Sequence, residues 1–263
     1  MPIEKSEAVI LRMFNWSESS RTVVFFSEKQ GKVPLVDRGG RSLKSKRGRL
    51  MRFARLELTY YRSEKETSGY ISDCELLEAF SVEGEGSLGR LAYGSAACEL
   101  LYLLLPEDQV QPALYDYFIQ YQRKLSTVDK RFLPALFLTF LLRSMSLLGY
   151  HPSIDFCAGC RKENGKIEAI AGERRFSPER GGLVCPTCQR AGEYYIGLSA
   201  EQLRILSALQ RASLGEAAHV ALSYQETSLL LEVLTKFLKY HSGLVGDLKS
   251  LEFLDKLKKT HLS

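Results

Sequence analysis

Histidine is scarce in this chain, with four among 263 residues. None of the four is followed two residues later by glutamate, and no H-E-x-x-H pattern occurs. The sequence therefore lacks the residues that zinc deaminases and zinc metalloproteases use. So few histidines also leave little material for general acid–base chemistry. Of the functional classes considered, an enzyme is the least favoured.

Complete nucleotide-binding patterns are missing as well. Gly84, Gly86 and Gly89 spell G-x-G-x-x-G, but the segments that follow predict no parallel strand, which a dinucleotide-binding unit needs. Arg90 and Leu91 stand where a P-loop requires lysine and then serine or threonine. The glycines are more typical of a linker between two domains.

Long apolar runs are also absent. The longest, residues 132–142, contains Pro134 and is followed by Arg143, so it is too short for a bilayer and favours a buried helix. The first residues do not have the pattern of a secretory signal peptide. With 45% hydrophobic and 25% charged residues, the composition fits a soluble protein, for which we expect a cytoplasmic location and no membrane partner.

Acidic residues are absent from residues 38–56, although this stretch carries eight cations. Clustered arginine and lysine on a loop that contains glycine and serine suits the phosphate backbone of a nucleic acid. The alternative is a solvated loop that only aids solubility. The lack of interleaved acids favours nucleic-acid binding, and the candidate residues are Arg38, Arg41, Lys44, Lys46, Arg47, Arg49, Arg52 and Arg55.

Cysteine, by contrast, is present in an informative pattern. Cys157 and Cys160 form one C-x-x-C pair, Cys185 and Cys188 form a second, and 24 residues separate the two pairs. Each pair offers two thiolates from one tight turn, so the two turns together supply the four ligands of a tetrahedral zinc ion. Because four protein ligands leave no open position, we predict one structural Zn²⁺ rather than a catalytic one.

Two other interpretations of the cysteines are less favoured. Disulfides need an oxidising compartment, and thioredoxin-like redox chemistry uses one C-x-x-C near a βαβ pattern, whereas this chain has two. Cys74 and Cys98 lie alone in apolar surroundings and are predicted to pack as small hydrophobic residues.

Short strands are predicted in the first eighty residues, where β-branched and aromatic residues alternate with turn formers. The predicted strands are residues 7–14, 21–27, 32–37, 53–62 and 69–80. Five strands without an intervening helix match an OB-fold, a five-stranded barrel that binds single-stranded nucleic acid. Phe53, Tyr60 and Tyr61 are candidate stacking residues, although aromatic residues of small barrels more often serve the core.

Helical periodicity follows the strands. Apolar residues recur at spacings of three and four in residues 88–105, 111–125 and 130–148. Ser199 begins a capping-box pattern, and residues 224–240 predict one more helix. We therefore predict an α+β multidomain protein whose four-cysteine module interrupts a helical region. The predicted domains are an OB-fold barrel at residues 1–80, a helical domain at 81–156 and 191–263, and a zinc-binding insertion at 157–190.

Several short motifs accompany this order of parts. They are G-K-V at residues 31–33, V-D-R-G-G-R-S-L-K-S at 36–45, L-L-G-Y-H-P at 147–152, G-G-L-V-C at 181–185 and K-S-L-E-F-L at 249–254. Together with the two C-x-x-C pairs, they resemble the RecO family of bacterial recombination mediators along essentially the whole chain. Many members of that family have a small residue and then Lys or Arg before Gly-Ala where this chain has Asp37, Arg38 and two glycines.

The resemblance implies a non-enzymatic DNA-repair protein of the bacterial cytoplasm and nucleoid. Proteins of this kind bind single- and double-stranded DNA, anneal complementary strands, and work with RecR and the single-stranded DNA-binding protein to load RecA. Annealing leaves base edges free to pair, so we expect phosphate contacts without sequence preference. Two alternatives stay open: a zinc-ribbon module that binds RNA or serves transcription, and a redox-regulated adaptor without metal.

Overall fold

A computed structural model describes residues 3–15, 17–18, 20–38, 40, 50–62, 69–167, 173–243 and 248–253. The chain forms two compact units. Unit 1 comprises Met1–Thr127 and Leu248–Ser263, and unit 2 comprises Val128–Asp247. In sequence, unit 2 is therefore an insertion in unit 1. None of the described helices is long and apolar enough to cross a membrane.

Unit 1 begins with five strands. They are β1 (Ile3–Asn15), β2 (Arg21–Ser27), β3 (Gly31–Asp37), β4 (Ala54–Tyr61) and β5 (Gly69–Ala79). The strands pair in the order β1-β2-β3-β5-β4, and β4 pairs again with β1, so the ring closes. All neighbours are antiparallel except β3 and β5, whose parallel pairing spans only two residue pairs. The predicted β-rich N-terminal region is confirmed.

The interior of the ring is apolar because every second residue of β3 and β4 points inward. Phe53 and Tyr60, two of the three candidate stacking residues, are buried, while Tyr61 is 36% exposed. The Tyr60 hydroxyl donates to a Glu4 carboxylate oxygen at 2.9 Å, and burial raises the pKa of Tyr60. The buried cluster contains Ala8, Ile10, Val23, Phe25, Val33, Leu35, Ala54, Leu56, Leu58, Tyr60, Ile71 and Cys74.

Two helices follow the strands in unit 1, as predicted: α1 (Ser87–Leu104) and α2 (Pro112–Thr127). Phe26 of β2 meets Tyr115 edge-on, with 5.4 Å between ring centroids, and lies 6.5 Å from Phe118. Burial raises the pKa of Cys74 to about 11 and that of Cys98 to about 12, as expected for thiols packed among apolar groups.

The chain returns to unit 1 after unit 2. Leu248 is 1% exposed, and the backbone N–H groups of Lys249 and Ser250 donate to the Glu99 carboxylate at 3.1 and 3.0 Å. Residues 248–250 are distant from α1 in sequence, and they are bound to it by these hydrogen bonds.

Unit 2 contains both helices and a sheet. The helices are α3 (Leu133–Leu147), α4 (Ala200–Arg211), α5 (Leu214–Ala217) and α6 (Tyr224–Ser242). The strands are β6 (Ser153–Cys157), β7 (Glu173–Ser177), β8 (Gly182–Val184) and β9 (Ile196–Ser199), in the order β6-β8-β7-β9. The capping box at Ser199 is confirmed. The expectation of an all-helical region around the cysteines was wrong, because four short strands flank them.

Gly31, the first residue of β3, has φ of +72°, and a Cβ there would overlap the carbonyl oxygen of Gln109. We expect Gly31→Ala to lower the free energy of unfolding by about 2 to 4 kcal/mol, through both backbone strain and this overlap. Urea unfolding followed by circular dichroism measures the change. The control is Gly165→Ala, because a Cβ at Gly165 meets no atom within 4 Å. Equal stability of the two variants would contradict the prediction.

Candidate metal centre and nucleic-acid surface

The first C-x-x-C pair lies in the tight turn that follows β6. Cys157 is the last residue of this strand and is fully buried. Its N–H donates to the Lys162 carbonyl at 2.7 Å, and its carbonyl accepts from the Arg161 N–H at 3.0 Å. These two bonds close the turn that carries Cys160.

The second pair lies in the turn that follows β8. Cys185 comes directly after the strand and precedes a single 3₁₀ turn, Pro186–Cys188. The Cys188 N–H donates to the Cys185 carbonyl at 2.9 Å. Because β6 and β8 are parallel neighbours, their carboxyl ends meet at one edge of the sheet. The strand pairing therefore brings both turns together.

The four sulfur atoms lie within 4.8 Å of one another. The Cys160 and Cys185 sulfurs are 3.6 Å apart, well beyond the ~2.05 Å of a disulfide bond. Four thiolates at tetrahedral corners, each ~2.3 Å from Zn²⁺, are separated by roughly 3.8 Å. The donor set and its spacing therefore fit a tetrahedral zinc ion. Among the described residues, this is the one cluster of Cys, His, Asp or Glu close enough to hold a metal ion.

Gly159 allows the two turns to approach. A Cβ at this position would lie 2.9 Å from the Cys188 sulfur and 3.0 Å from its Cβ. The Gly159 N–H points to the Cys157 sulfur at 3.4 Å, and the Cys185 N–H donates to the same sulfur at 3.3 Å. Backbone donors of this kind favour the thiolate form, which is the form that binds a metal.

The cysteine pKa values reflect this crowding. Burial opposes ionisation of Cys157, but backbone N–H donors, led by that of Cys185, lower its pKa overall. The Thr187 hydroxyl, 3.1 Å from the Cys185 sulfur, lowers the pKa of Cys185 to about 6. A hydrogen bond with Cys185 raises the pKa of Cys188 to about 12. Four thiols this close do not all ionise alone, whereas a divalent cation among them stabilises four thiolates.

A half-buried polar network supports the second turn. The Arg180 side chain donates to the Cys188 carbonyl at 2.6 Å and lies 3.6 Å from the Glu193 carboxylate. The Ser177 and Tyr195 hydroxyls donate to the same carboxylate at 2.5 and 2.8 Å. Burial alone would raise the pKa of Glu193, but these donors and the charge of Arg180 lower it. The sequence does not predict this network, because nothing in the spacing of Arg180 and Glu193 marks them as partners.

Removal of Arg180 should loosen the turn that holds Cys188. We expect Arg180→Ala to weaken zinc affinity about tenfold, as is typical when a residue that orients a metal ligand is lost. Competition with a chromophoric chelator measures the affinity. Arg204→Ala is the control, since Arg204 lies on α4 and pairs only with the exposed Glu201 among the described residues. Unchanged affinity in Arg180→Ala would contradict the proposed support.

Most of the candidate DNA-binding residues lie outside the described part of the chain: Arg41, Lys44, Lys46, Arg47 and Arg49. Arg38, the first cation of the basic stretch, and Arg52, the last before Arg55, are exposed. The Arg38 guanidinium lies 3.6 Å from the centroid of the Tyr70 ring, and that of Arg52 lies 5.5 Å from the centroid of Phe53.

Arg55, on β4, has a different environment. Its side chain pairs with Glu7 at 3.3 Å and with Glu78 at 3.5 Å. Glu78 also receives two hydrogen bonds from Arg123 at 2.8 Å, which lower the pKa of Glu78. The charge of Arg55 is therefore shared with neighbouring carboxylates.

Two family models match this chain. The model of the recombination protein O N terminus covers residues 1–80, and that of the recombination protein O C terminus covers residues 85–252. The chain belongs to the RecO family. The two matched regions meet between the end of β5 and the start of α1, where Gly84 and Gly86 lie.

Curated RecO relatives span nearly the full length. A DNA repair protein RecO from Symbiobacterium thermophilum is 31% identical over 265 residues, covering 98% of this chain and 99% of the relative. Another from Pelotomaculum thermopropionicum is 28% identical, covering 97% and 95%. A third, from Listeria monocytogenes, is 25% identical, covering 98% and 96%. The chain is thus a full-length match to RecO family DNA repair proteins, with a four-cysteine cluster compatible with zinc.

Proposed function

We propose that this chain is a non-enzymatic recombination mediator, which binds single- and double-stranded DNA by its phosphates and anneals complementary strands. The observation that carries the proposal is an acid-free basic segment placed directly after β3 of a closed five-stranded ring. Family membership supports a role in DNA repair.

The ring supports an OB-fold assignment. Its strand order, with β3 parallel to β5 and β1 paired with β4, is that of a five-stranded barrel whose surface and loops bind nucleic acid. We propose that the OB-fold domain ends at residue 80. The helical domain that follows would carry the zinc-binding insertion at residues 157–190. Arg38, Arg52 and Arg55 are the described members of the proposed DNA-binding segment.

Phosphate contacts suit annealing. Arginine and lysine neutralise backbone oxygens and release counterions, while the base edges stay free to find their complement. Binding without sequence preference follows from this arrangement. We propose that the protein works in the cytoplasm with RecR and the single-stranded DNA-binding protein, and so helps to load RecA.

Cys157, Cys160, Cys185 and Cys188 would hold one structural Zn²⁺. The ion supplies four metal–sulfur bonds that join the turns after β6 and β8. The strands β6, β7 and β8 are three to five residues long, and β7 carries Glu173, Arg174 and Arg175, so this part of the sheet has little core of its own. A closed set of four protein ligands leaves no position for a substrate.

The proposal is tested by strand annealing. Complementary oligonucleotides coated with single-stranded DNA-binding protein are mixed with the purified chain, and duplex formation is followed by fluorescence. We expect the protein to accelerate annealing and to bind unrelated DNA sequences with equal affinity. Failure to bind or anneal DNA would overturn the proposal. Tighter binding to structured RNA than to single-stranded DNA would favour the zinc-ribbon RNA-binding alternative.

A further inference from the structure

Two cations and two aromatic rings lie together at the surface of unit 1, where Arg12 and Phe14 are exposed and the other two side chains are half-buried. Arg12 and Phe14 lie on β1, Lys32 lies on β3, and Tyr102 lies on α1. We call these four residues the cation–aromatic platform. Phe14 is 37% exposed and lies beside the Tyr102 ring, so apolar surface and aromatic surface are combined here. The platform contains none of the predicted DNA-binding residues.

The platform is built around the Arg12 guanidinium. Its central carbon lies 4.8 Å from the centroid of the Phe14 ring and 4.9 Å from that of Tyr102. The two ring centroids are 6.0 Å apart, with the planes tilted by 56°. The Lys32 ammonium is 5.7 Å from the Tyr102 centroid and donates to the Tyr102 carbonyl at 3.3 Å. The platform therefore combines two aromatic rings with two positively charged side chains.

The charge of the platform is not neutralised locally. Among the described residues, neither Arg12 nor Lys32 forms an ion pair; their side chains contact the two rings and one carbonyl. Five other described cations of unit 1 pair with carboxylates: Lys5, Arg21, Arg55, Arg62 and Arg123. The platform thus keeps two positive charges beside exposed aromatic surface.

We propose that the platform binds unpaired bases of single-stranded DNA, and this inference rests on the proposed DNA-binding function. Bases stack on aromatic rings and on the flat face of a guanidinium, and the neighbouring phosphates attract cations. Phe14 and Arg12 provide the stacking surface, and Lys32 faces the adjoining phosphate. Duplex DNA keeps its bases stacked inside the helix and therefore gains nothing from the platform's rings. The basic segment and the platform give the protein two contacts on one strand.

A purely structural role makes a different prediction. The same contacts join β1 to α1, and if that were their only effect, loss of the Phe14 ring would lower stability and weaken single-stranded and duplex binding alike. Selective loss of single-strand binding is what distinguishes base stacking.

The test measures fluorescence anisotropy with a labelled dT20 oligonucleotide and with a 20-base-pair duplex. We expect Phe14→Ala and Phe14→Leu to weaken dT20 binding about fivefold or more, while duplex affinity changes less than twofold. Phe14→Trp should keep dT20 affinity, because it keeps a stacking surface. Tyr240→Ala is the control, since Tyr240 is 56% exposed but lies in unit 2. Photocrosslinking of an oligonucleotide that carries 5-iodouracil should label Phe14 or Tyr102.

The outcomes separate the two proposals. If Phe14→Ala and Phe14→Leu both bind dT20 as tightly as the wild type does, the proposal that the platform binds bases is overturned, and the proposed DNA-binding function stands. Equal weakening for dT20 and the duplex, together with a lower melting temperature, would also overturn it. If the wild type binds neither DNA, the proposed function fails, and the platform fails with it.

Discussion

Replacing Arg41, Lys44 and Arg47 together by alanine is expected to weaken binding to single-stranded DNA by at least about tenfold at low salt. The slope of log affinity against log salt concentration is negative, and each lost phosphate contact reduces its magnitude by about 0.7. The triple variant should therefore have a slope that is shallower by about two. Anisotropy titrations with dT20 at several salt concentrations measure both quantities. A shallower slope would support phosphate contacts in this segment.

A control for net charge is available in unit 2. Arg131, Lys166 and Arg204 are exposed, and each pairs with a nearby carboxylate. Their triple alanine variant removes the same three charges without touching the basic segment, and we expect it to keep the wild-type slope. If both triple variants lose affinity equally, only net charge matters. If neither does, the basic segment is only a solvated face and the DNA site lies elsewhere.

Substitution of Cys185 by serine should remove the tightly held zinc. Loss of one thiolate is expected to weaken metal affinity about a thousandfold or more, or about 4 kcal/mol, since structural zinc contributes directly to folding. The turns after β6 and β8 would then lose their link. Metal analysis gives the zinc content, and hydrogen exchange should show faster exchange in β6 and β8.

Cys98→Ser is the matched control for this variant. Cys98 is as buried as Cys185 but lies on α1 of unit 1, remote in sequence from the four-cysteine cluster. This variant should keep one zinc per chain even where its stability falls. One zinc retained by Cys185→Ser would contradict the four-ligand site. A wild-type protein that holds no zinc and cycles its thiols would instead favour the redox-regulated adaptor.

Regular patterns explain why much of the fold was predictable from sequence. The strands of unit 1 are seven to thirteen residues long, so their alternation or β-branched content is visible. The strands β6 to β9 are three to five residues long, and β7 carries Arg174 and Arg175. Segments that short show no readable alternation of apolar and polar residues, so the sequence did not predict their sheet.

The candidate sites also contain features that the sequence predicts and features that it does not. The cysteine cluster was predictable because both C-x-x-C turns are local patterns with a known ligand geometry. The pairing of Arg55 with Glu7 joins residues 48 positions apart, and it arises only when β4 lies beside β1. The cation–aromatic platform likewise draws Phe14 and Tyr102 from a strand and a helix far apart in sequence. Composition shows charge, but tertiary structure decides which charges are neutralised.

The return of the chain to α1 has a consequence for synthesis. Unit 1 starts with β1, yet Leu248 and the two N–H groups that bind Glu99 follow the whole of unit 2 in the sequence. Domains fold as the chain emerges from the ribosome, N-terminal parts first. Here the whole of unit 2 leaves the ribosome before the final contacts of unit 1 can form. The first unit to begin folding is therefore the last to be completed.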